Sequence, residues 1–259
     1  MKQIFKYIGI FSLVLFSFFY ANNIAIFMRS KTDLMKKIRD NEKSQKIAYV
    51  NAVINDDYII PGINGLAINI EDSYNNMLKV GTFDDNYLIY DEIVPTISLN
   101  DNIKKIIKKA NPLKKSIALI ILNQQLFDYC LNNNIKVNYL IDKSNIVNNN
   151  NVELINNGVD DFYEIERFLN HHNQNKNICV INKYNKKICQ SNGKYLVEPT
   201  YTINDSNLAH YISEIDNGDI IRIDNMSLTS FIILINKIKY RNLRFDHLSD
   251  LISEKYSSL

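Results

Sequence analysis

A continuous apolar run at residues 117–122 constrains the fold of this chain more than any other feature of its sequence. The run reads Ile-Ala-Leu-Ile-Ile-Leu and offers no polar position for a face turned towards water. Strands of a parallel sheet are covered on both faces and show this pattern, whereas half-exposed antiparallel strands alternate apolar and polar residues. The run therefore predicts a buried strand in an α/β protein.

The chain beyond this run alternates between helical and extended patterns. Residues 124–133 carry apolar side chains on one helical face, and residues 136–141 have the pattern of a second strand. We interpret residues 152–155 as helical and residues 219–223 as a later strand. Strands that alternate with helices are typical of parallel β-α units. The sequence therefore predicts a doubly wound sheet or a barrel, beginning near residue 112.

The composition excludes several classes of protein. With 46% hydrophobic and 22% charged residues, the chain can build a core, so it is not a disordered protein. A net charge of +2 supplies no basic surface, and we expect no nucleic-acid partner. The chain has no C-x-x-C pair and no glycine-rich nucleotide loop, so zinc ribbons and dinucleotide sites are unsupported.

The amino terminus predicts a membrane helix. Residues 7–28 carry no charge and follow two lysines, and about 20 apolar residues suffice to cross the hydrocarbon layer. Asn22 and Asn23 interrupt the run, which leaves a cleaved signal peptide as the alternative. We expect residues 1–28 to form an uncleaved, single-pass signal-anchor and residues 29–46 to form a juxtamembrane stalk.

Several segments resemble the motifs of a known family, the polysaccharide deacetylases with NodB homology (carbohydrate esterase family 4). The similar segments come in the family's order and spacing and lie at residues 114–120, 134–142, 153–158, 217–224 and 240–252. An upstream stretch at residues 58–77 resembles the extension of a divergent, membrane-anchored bacterial branch of this family.

The resemblance implies a fold and an activity. The fold is an irregular, incomplete (β/α) barrel of the glycoside hydrolase/deacetylase type at residues 112–256, with a small strand-rich extension at residues 47–111 packed on it. The activity is hydrolysis of N-acetyl groups on envelope glycans. It requires a divalent metal such as zinc, held by one Asp and two His, together with a second Asp as general base.

The catalytic positions of that family carry other residues in this chain. The place of the Asp pair is occupied by Asn123 and Gln124, whose amides cannot act as general bases. No H-x-x-x-H pattern occurs at or after the segment that contains Val159, and the family's late His aligns with Asp224. We therefore expect no catalytic residue, no metal ligand set and no cofactor.

The remaining polar residues near the predicted barrel mouth are substrate-binding candidates. They are Asp160, Asp161, Tyr201 and Asp224, although a polar loop before a helix also explains the two adjacent aspartates. These observations favour an inactive, membrane-anchored deacetylase-like protein that binds cell-wall glycan or acts as a scaffold at the envelope.

Two alternatives to this interpretation stay open. The first is an active, zinc-dependent N-deacetylase with relocated ligands, drawn from Asp160, Asp161, His171 and Asp224. The second is a structural membrane protein whose barrel only supports partner contacts.

A Phe-Asp-Asp segment that contains Asp84 resembles the family's first motif. It lies too early in the chain, and we interpret it as an exposed turn.

The side of the membrane on which the body lies is not settled by charge. Basic residues after the apolar segment outnumber those before it, which favours a cytoplasmic body. Long domains are exported largely regardless of this count. Because the resemblance is to a family that acts on envelope glycans, we expect an extracytoplasmic body.

Three cysteines can be placed. Residues 178–181 and 188–190 have the pattern of a hairpin about Tyr184, so Cys179 and Cys189 would face each other. Either a disulfide, if the domain is exported, or two packed thiols would satisfy this arrangement. Cys130 lies on the apolar face of a predicted helix and is expected in the core.

Overall fold

The computed structural model describes residues 2–141, 149–156, 162–182 and 184–256. Helices occupy α1 (Lys2–Ser30), α2 (Asp33–Gln45), α3 (Ile70–Met77), α4 (Gln124–Asn132), α5 (Phe162–His171), α6 (Lys186–Ser191), α7 (Leu208–Tyr211), α8 (Leu228–Tyr240) and α9 (Leu248–Ile252). Strands occupy β1 (Val53–Asn55), β2 (Tyr58–Ile60), β3 (Gly65–Ile68), β4 (Tyr90–Ile93), β5 (Ile106–Ile107), β6 (Ser116–Ile121), β7 (Val137–Ile141), β8 (Val152–Asn156), β9 (Ile178–Val180), β10 (Tyr195–Val197), β11 (Tyr201–Ile203), β12 (Ile220–Ile223) and β13 (Arg244–Phe245).

The chain forms two compact units. The small unit comprises Met1–Ala48 and Gly65–Ile93, and the large unit comprises Tyr49–Asn64 and Val94–Leu259. The division expected from the sequence, with an extension at 47–111 and a barrel at 112–256, stays a prediction.

The small unit packs α2 and α3 around an antiparallel pair of strands, β3 and β4. Its core consists of Met35, Ile38, Ile68, Tyr74 and Met77. Both helices have a side-chain N-cap: the Thr32 hydroxyl accepts a hydrogen bond from a backbone amide of α2, and the Asn69 side chain accepts one from a backbone amide of α3.

The first helix of the small unit carries an exposed apolar surface. Every residue from 10 to 21 of α1 is exposed, among them Phe11, Phe16 and Phe18. Across the described residues, however, we find no helix whose length and apolar character together meet the requirement for crossing a bilayer. The predicted transmembrane helix is therefore not confirmed.

The large unit is built on one curled, mixed sheet. Its strands lie in the order β1-β2-β5-β10-β9-β8-β7-β6-β12-β11, and β13 pairs with the start of β6. Neighbours along this path run parallel except β1 and β2. The sheet forms a half-barrel, which confirms the predicted α/β class and the open form of the barrel.

Both faces of the sheet are buried, as the apolar run in β6 predicts. Ile117, Leu119 and Ile121 point towards an outer layer that includes α4 and α8, while Ala118 and Ile120 point into the curl. Each of these two outer helices has a side-chain N-cap: Asn123 caps α4, and Ser227 caps α8. One strand thus supplies residues to two separate cores.

The short helix α9 covers the inner face. Leu248, Leu251 and Ile252 join the inner core. The first amides of α9 donate to side chains inside the curl: Leu248 N to Asn138 Oδ1 at 2.6 Å and Ser249 N to Glu153 Oε2 at 2.9 Å. These bonds satisfy amides that have no partner within the helix.

The other end of α9 is held by a buried lysine. The Lys114 ammonium donates to the carbonyl oxygens of Asp250 and Ser253, and its side chain is 1% exposed. A cation at the carboxyl end of a helix satisfies free carbonyls and complements the helix dipole. Three polar side chains therefore hold the cover of the inner face.

Two local expectations from the sequence are wrong. The segment predicted as a helix at residues 152–155 is β8, all five residues of which are buried between β7 and β9. The second strand of the predicted hairpin about Tyr184 is α6. Because β9 and β10 run parallel, their connection has to cross over the sheet, and a hairpin cannot do this.

We expect a methyl group at Gly218 to destabilise the large unit. Gly218 has φ +83°, and a Cβ would lie 2.4 Å from the Ala110 carbonyl oxygen. Left-handed backbone costs about 1–2 kcal/mol, and overpacking adds about 1–3 kcal/mol. Gly218→Ala should therefore lower the free energy of unfolding by about 2–5 kcal/mol, measured by urea denaturation.

Gly193→Ala is the matched control for this substitution. Gly193 has φ +64°, and a Cβ added there would meet nothing within 4 Å, so only the backbone cost of about 1–2 kcal/mol applies. Equal losses in the two variants would show that the contact with Ala110 is unimportant.

Lys114 predicts a pH dependence of stability. Burial lowers the pKa of Lys114 from 10.5 to about 8, although the carboxylates of Asp250, Asp246 and Glu254 act in the opposite direction. Between these two values the unfolded chain binds more protons than the folded chain, so the free energy of unfolding should rise with pH across this window. Lys114→Met should lose this rise, and the exposed neighbour variant Lys115→Met should keep it. Parallel pH profiles for the wild type and Lys114→Met would contradict the assignment.

Candidate functional site

A polar cleft of about 600 Å³ lies in the large unit. We call it the edge cleft, because several of its residues directly follow strands: Ile181 and Asn182 follow β9, Glu198 follows β10 and Asp224 follows β12. The full lining is Asp57, Tyr58, Ile106, Ile181, Asn182, Lys186, Glu198, Pro199, Thr202, Arg222 and Asp224.

The position of the edge cleft follows from the parallel sheet. Parallel strands end at a common edge, and the loops beyond that edge are free to carry functional side chains without disturbing the core. The strands themselves supply Tyr58 of β2, Ile106 of β5, and Thr202 and Arg222, which are opposed residues of β11 and β12. The edge cleft is therefore the candidate binding site of the large unit.

An ion pair occupies one end of the edge cleft. Arg222 Nε donates to Asp224 Oδ1 at 2.9 Å, and both side chains are about one-third exposed. Ile220 belongs to the inner core, while Ile221 and Ile223 belong to the outer core. Strand alternation therefore turns Arg222 into the curl. Asp224 orients the guanidinium and leaves one of its own oxygens available to accept.

A second charged group is Glu198. Its carboxylate accepts from the Tyr58 hydroxyl at 3.3 Å and lies 3.5 Å from the Lys108 ammonium. The Lys108 ammonium also lies 5.3 Å from the centre of the Tyr58 ring. These contacts hold a partly exposed aromatic ring beside hydrogen-bonding groups.

Asn182 and Lys186 form the wall of the edge cleft between β9 and β10. The Asn182 amide donates to Asn185 Oδ1 at 2.7 Å, and Asn185 N returns a bond to Asn182 Oδ1 at 3.1 Å. The buried Asn185 side chain also donates to the Val180 carbonyl oxygen at 3.0 Å. This reciprocal turn positions Lys186 at the beginning of α6.

The structure separates the predicted substrate-binding residues. Asp224 lines the edge cleft. Tyr201 packs on the outer core instead, with its ring centre 5.0 Å from that of Tyr211. Its neighbour Thr202 lines the cleft because successive strand residues point to opposite faces.

Asn123 and Gln124, at which the resemblance places the family's Asp pair, make local contacts at the start of α4. The Asn123 side chain accepts from Leu126 N at 3.2 Å and caps the helix, and Gln124 Nε2 donates to Asp128 Oδ1 at 2.8 Å. Neither residue lines the edge cleft. His171 is exposed at the end of α5, beside His172.

Three further candidates, Val159, Asp160 and Asp161, lie outside the residues that the structure describes. The expected turn at Asp84 is present: its carboxylate accepts from Asn86 N at 2.9 Å. This aspartate belongs to the small unit and does not line the edge cleft.

The described residues do not fit the divalent metal that the deacetylase resemblance implies. Within residues 2–141, 149–156, 162–182 and 184–256, no three His, Cys, Asp or Glu side chains come together to hold an ion. The donor chemistry at the cleft agrees, because Asp224 is paired with a cation, Arg222, that would repel a metal.

Comparison with known sequences gives limited information. No family model matches the chain. A segment of 89 residues, 34% of the chain, is 34% identical to an uncharacterised protein of Bacillus subtilis, YlxY, and this segment spans only 27% of that protein.

Comparison with solved structures is more informative. The crystal structure of BA3943, a CE4 family pseudoenzyme from Bacillus anthracis, superposes with a TM-score of 0.58 at 21% identity, over 87% of this chain and 96% of that one. A mutant of BA3943 superposes with a TM-score of 0.59 at 21% identity, over 87% and 99% of the two chains. The chain has a CE4-like fold. Identity at this level establishes the fold alone.

Sequence reasoning missed Arg222, Glu198 and Tyr58 as cleft residues. One signal for Arg222 was present: it is the single charged residue within the apolar segment Ile-Ile-Arg-Ile of β12. A charge in a buried strand needs a partner or a cavity. Tyr58 and Glu198 lie 140 positions apart in the sequence, and no local pattern connects them.

Proposed function

We propose that the large unit binds an N-acetylated envelope glycan in the edge cleft and does not deacetylate it. The observation that carries this proposal is the Arg222–Asp224 pair within a cleft that also offers the Tyr58 ring. The pair offers donors and an acceptor side by side, which suits sugar hydroxyls and acetamido groups. An exposed aromatic ring suits the apolar face of a sugar.

The absence of deacetylation is supported by what replaces the family's chemistry. Asn123 caps a helix where the family has a carboxylate, and Asp224 pairs with an arginine where the family has a histidine. Neither arrangement supplies a general base next to an activated water. The CE4-like structures with which the chain superposes are themselves described as pseudoenzymes, which is consistent with a binding role.

Binding of chitotetraose and soluble peptidoglycan fragments to the full chain, measured by calorimetry, tests this proposal. Arg222→Met and Tyr58→Ala should each weaken binding about tenfold, or about 1.4 kcal/mol, because each removes a direct contact. Tyr58→Phe should retain most of the affinity, since the ring remains. Tyr240→Ala, which removes an 82% exposed tyrosine outside the cleft, is the control.

Two results would contradict this function. Release of acetate from these glycans upon addition of zinc would favour the active deacetylase with relocated ligands. Undiminished binding by both Arg222→Met and Tyr58→Ala would remove the edge cleft as the glycan site.

We further propose that α1 attaches the chain to a membrane and that the large unit lies outside the cytoplasm. The attachment is supported by the exposed aromatic and aliphatic side chains between residues 10 and 21, because contact between such an apolar surface and water is unfavourable. The external location is supported by the disulfide between Cys179 and Cys189, because disulfides persist in oxidising compartments.

Flotation with phosphatidylcholine vesicles tests the attachment. The full chain should float, and the double variant Phe16→Asp, Phe18→Asp should float at least tenfold less, since a charge in the apolar layer costs about 2.5–3.5 kcal/mol. The control adds two aspartates to the polar helix α2, as Asn41→Asp, Ser44→Asp.

A phosphatase fused to the carboxyl terminus tests the external location. The fusion should be active in cells, and an inactive but intact fusion would contradict the external location.

A further inference from the structure

We infer that the Cys179–Cys189 disulfide is the positioning element that holds the wall of the edge cleft on the sheet. The two cysteines lie ten positions apart, one in β9 and the other in α6, with 6.1 Å between their Cα atoms. The loop that they close contains Ile181, Asn182 and Lys186, all of which line the cleft. The consequence for ligand affinity rests on the function proposed above.

The disulfide lies directly behind this wall. Both cysteines are fully buried in a small core that also contains Ile106, Ile181 and Leu196. Ile106 and Ile181 belong to that core and also line the edge cleft. A shift of α6 away from β9 would therefore change the shape of the cleft.

The other contacts of the loop hold its beginning on the sheet, where Ile181 N donates to the Val197 carbonyl oxygen at 2.8 Å, and fix its internal shape. Asn182 and Asn185 bond to each other's backbone amides, and these bonds travel with the loop. A bond from Asn185 to the Val180 carbonyl oxygen ties the turn to the end of β9. The helix that follows has six residues and no side-chain cap, and helices this short are unstable without tertiary support. The covalent link at Cys189 supplies that support.

The chemistry of the link makes the inference testable. Dithiothreitol donates two electrons and two protons to the disulfide: the sulfur–sulfur bond breaks, two cysteine thiols form, and the reagent closes to its cyclic disulfide. The third cysteine, Cys130, is buried in the outer core, and burial raises its pKa to about 12. Its thiolate is therefore too scarce to exchange with the disulfide.

Hydrogen exchange of the full chain, before and after reduction, tests the positioning role. Thiol titration in denaturant should give one thiol per chain before reduction and three afterwards. Reduction should speed amide exchange at least fivefold in residues 184–192 and leave the β6 amides unchanged. The double variant Cys179→Ala, Cys189→Ala should show the same local change without reductant, while Cys130→Ala should respond as the wild type does.

Chitotetraose binding by the same samples provides the second readout. Affinity should fall at least tenfold when the disulfide is reduced or removed. If the oxidised chain binds no glycan, the proposed function fails, and hydrogen exchange still decides the positioning role. If complete reduction changes the rate of amide exchange in residues 184–192 by less than twofold, the inference is overturned. Equal acceleration in β6 would also overturn it, because the bond would then support the whole unit.

Discussion

The inner face of the curled sheet has to be covered, and the rest of the large unit depends on how this is done. The sheet does not close into a complete barrel, so its inner apolar side chains cannot bury one another fully. Helix α9 supplies the missing surface through Leu248, Leu251 and Ile252. Asn138, Glu153 and Lys114 hold its two ends by hydrogen bonds. Burial raises the pKa of Glu153 and lowers that of Lys114. Two buried ionisable groups, one in β8 and one just before β6, therefore hold a helix of five residues at an electrostatic cost.

The contacts that hold α9 and the residues that line the edge cleft lie at different parts of the same sheet. Asn138 and Glu153 are register partners near the starts of β7 and β8, whereas the edge cleft collects residues beyond the ends of β9, β10 and β12. The cleft can therefore change its side chains without disturbing α9. Asn123 caps α4, and Asp224 forms an ion pair with Arg222 beside the cleft.

The candidate site could be predicted from the sequence only in part. The alignment with the family's late histidine points to Asp224, and this residue lies in the cleft. Tyr201 is predicted near the barrel mouth as well, but strand alternation turns it to the outer core. The contacts that shape the cleft join distant residues, such as Tyr58 with Glu198, and they arise only when β2, β5 and β10 align. The pairing of Cys179 with Cys189 was one of two open alternatives, and the crossover that brings them together was not foreseen.

The sequence by itself determined the α/β class, the buried strand at β6 and its following helix, because uninterrupted apolar runs and one-sided helical faces are local consequences of burial. The tertiary structure decided the state of short segments whose patterns are ambiguous. Val152–Asn156 is extended because two parallel neighbours offer it hydrogen bonds on both sides. Lys186–Ser191 is not the second strand of a hairpin, because β9 pairs in parallel with β10 and the segment forms a helix within the connection between them. Five or six residues carry too little intrinsic preference to select a conformation alone. Their structure follows from the neighbours that the fold provides.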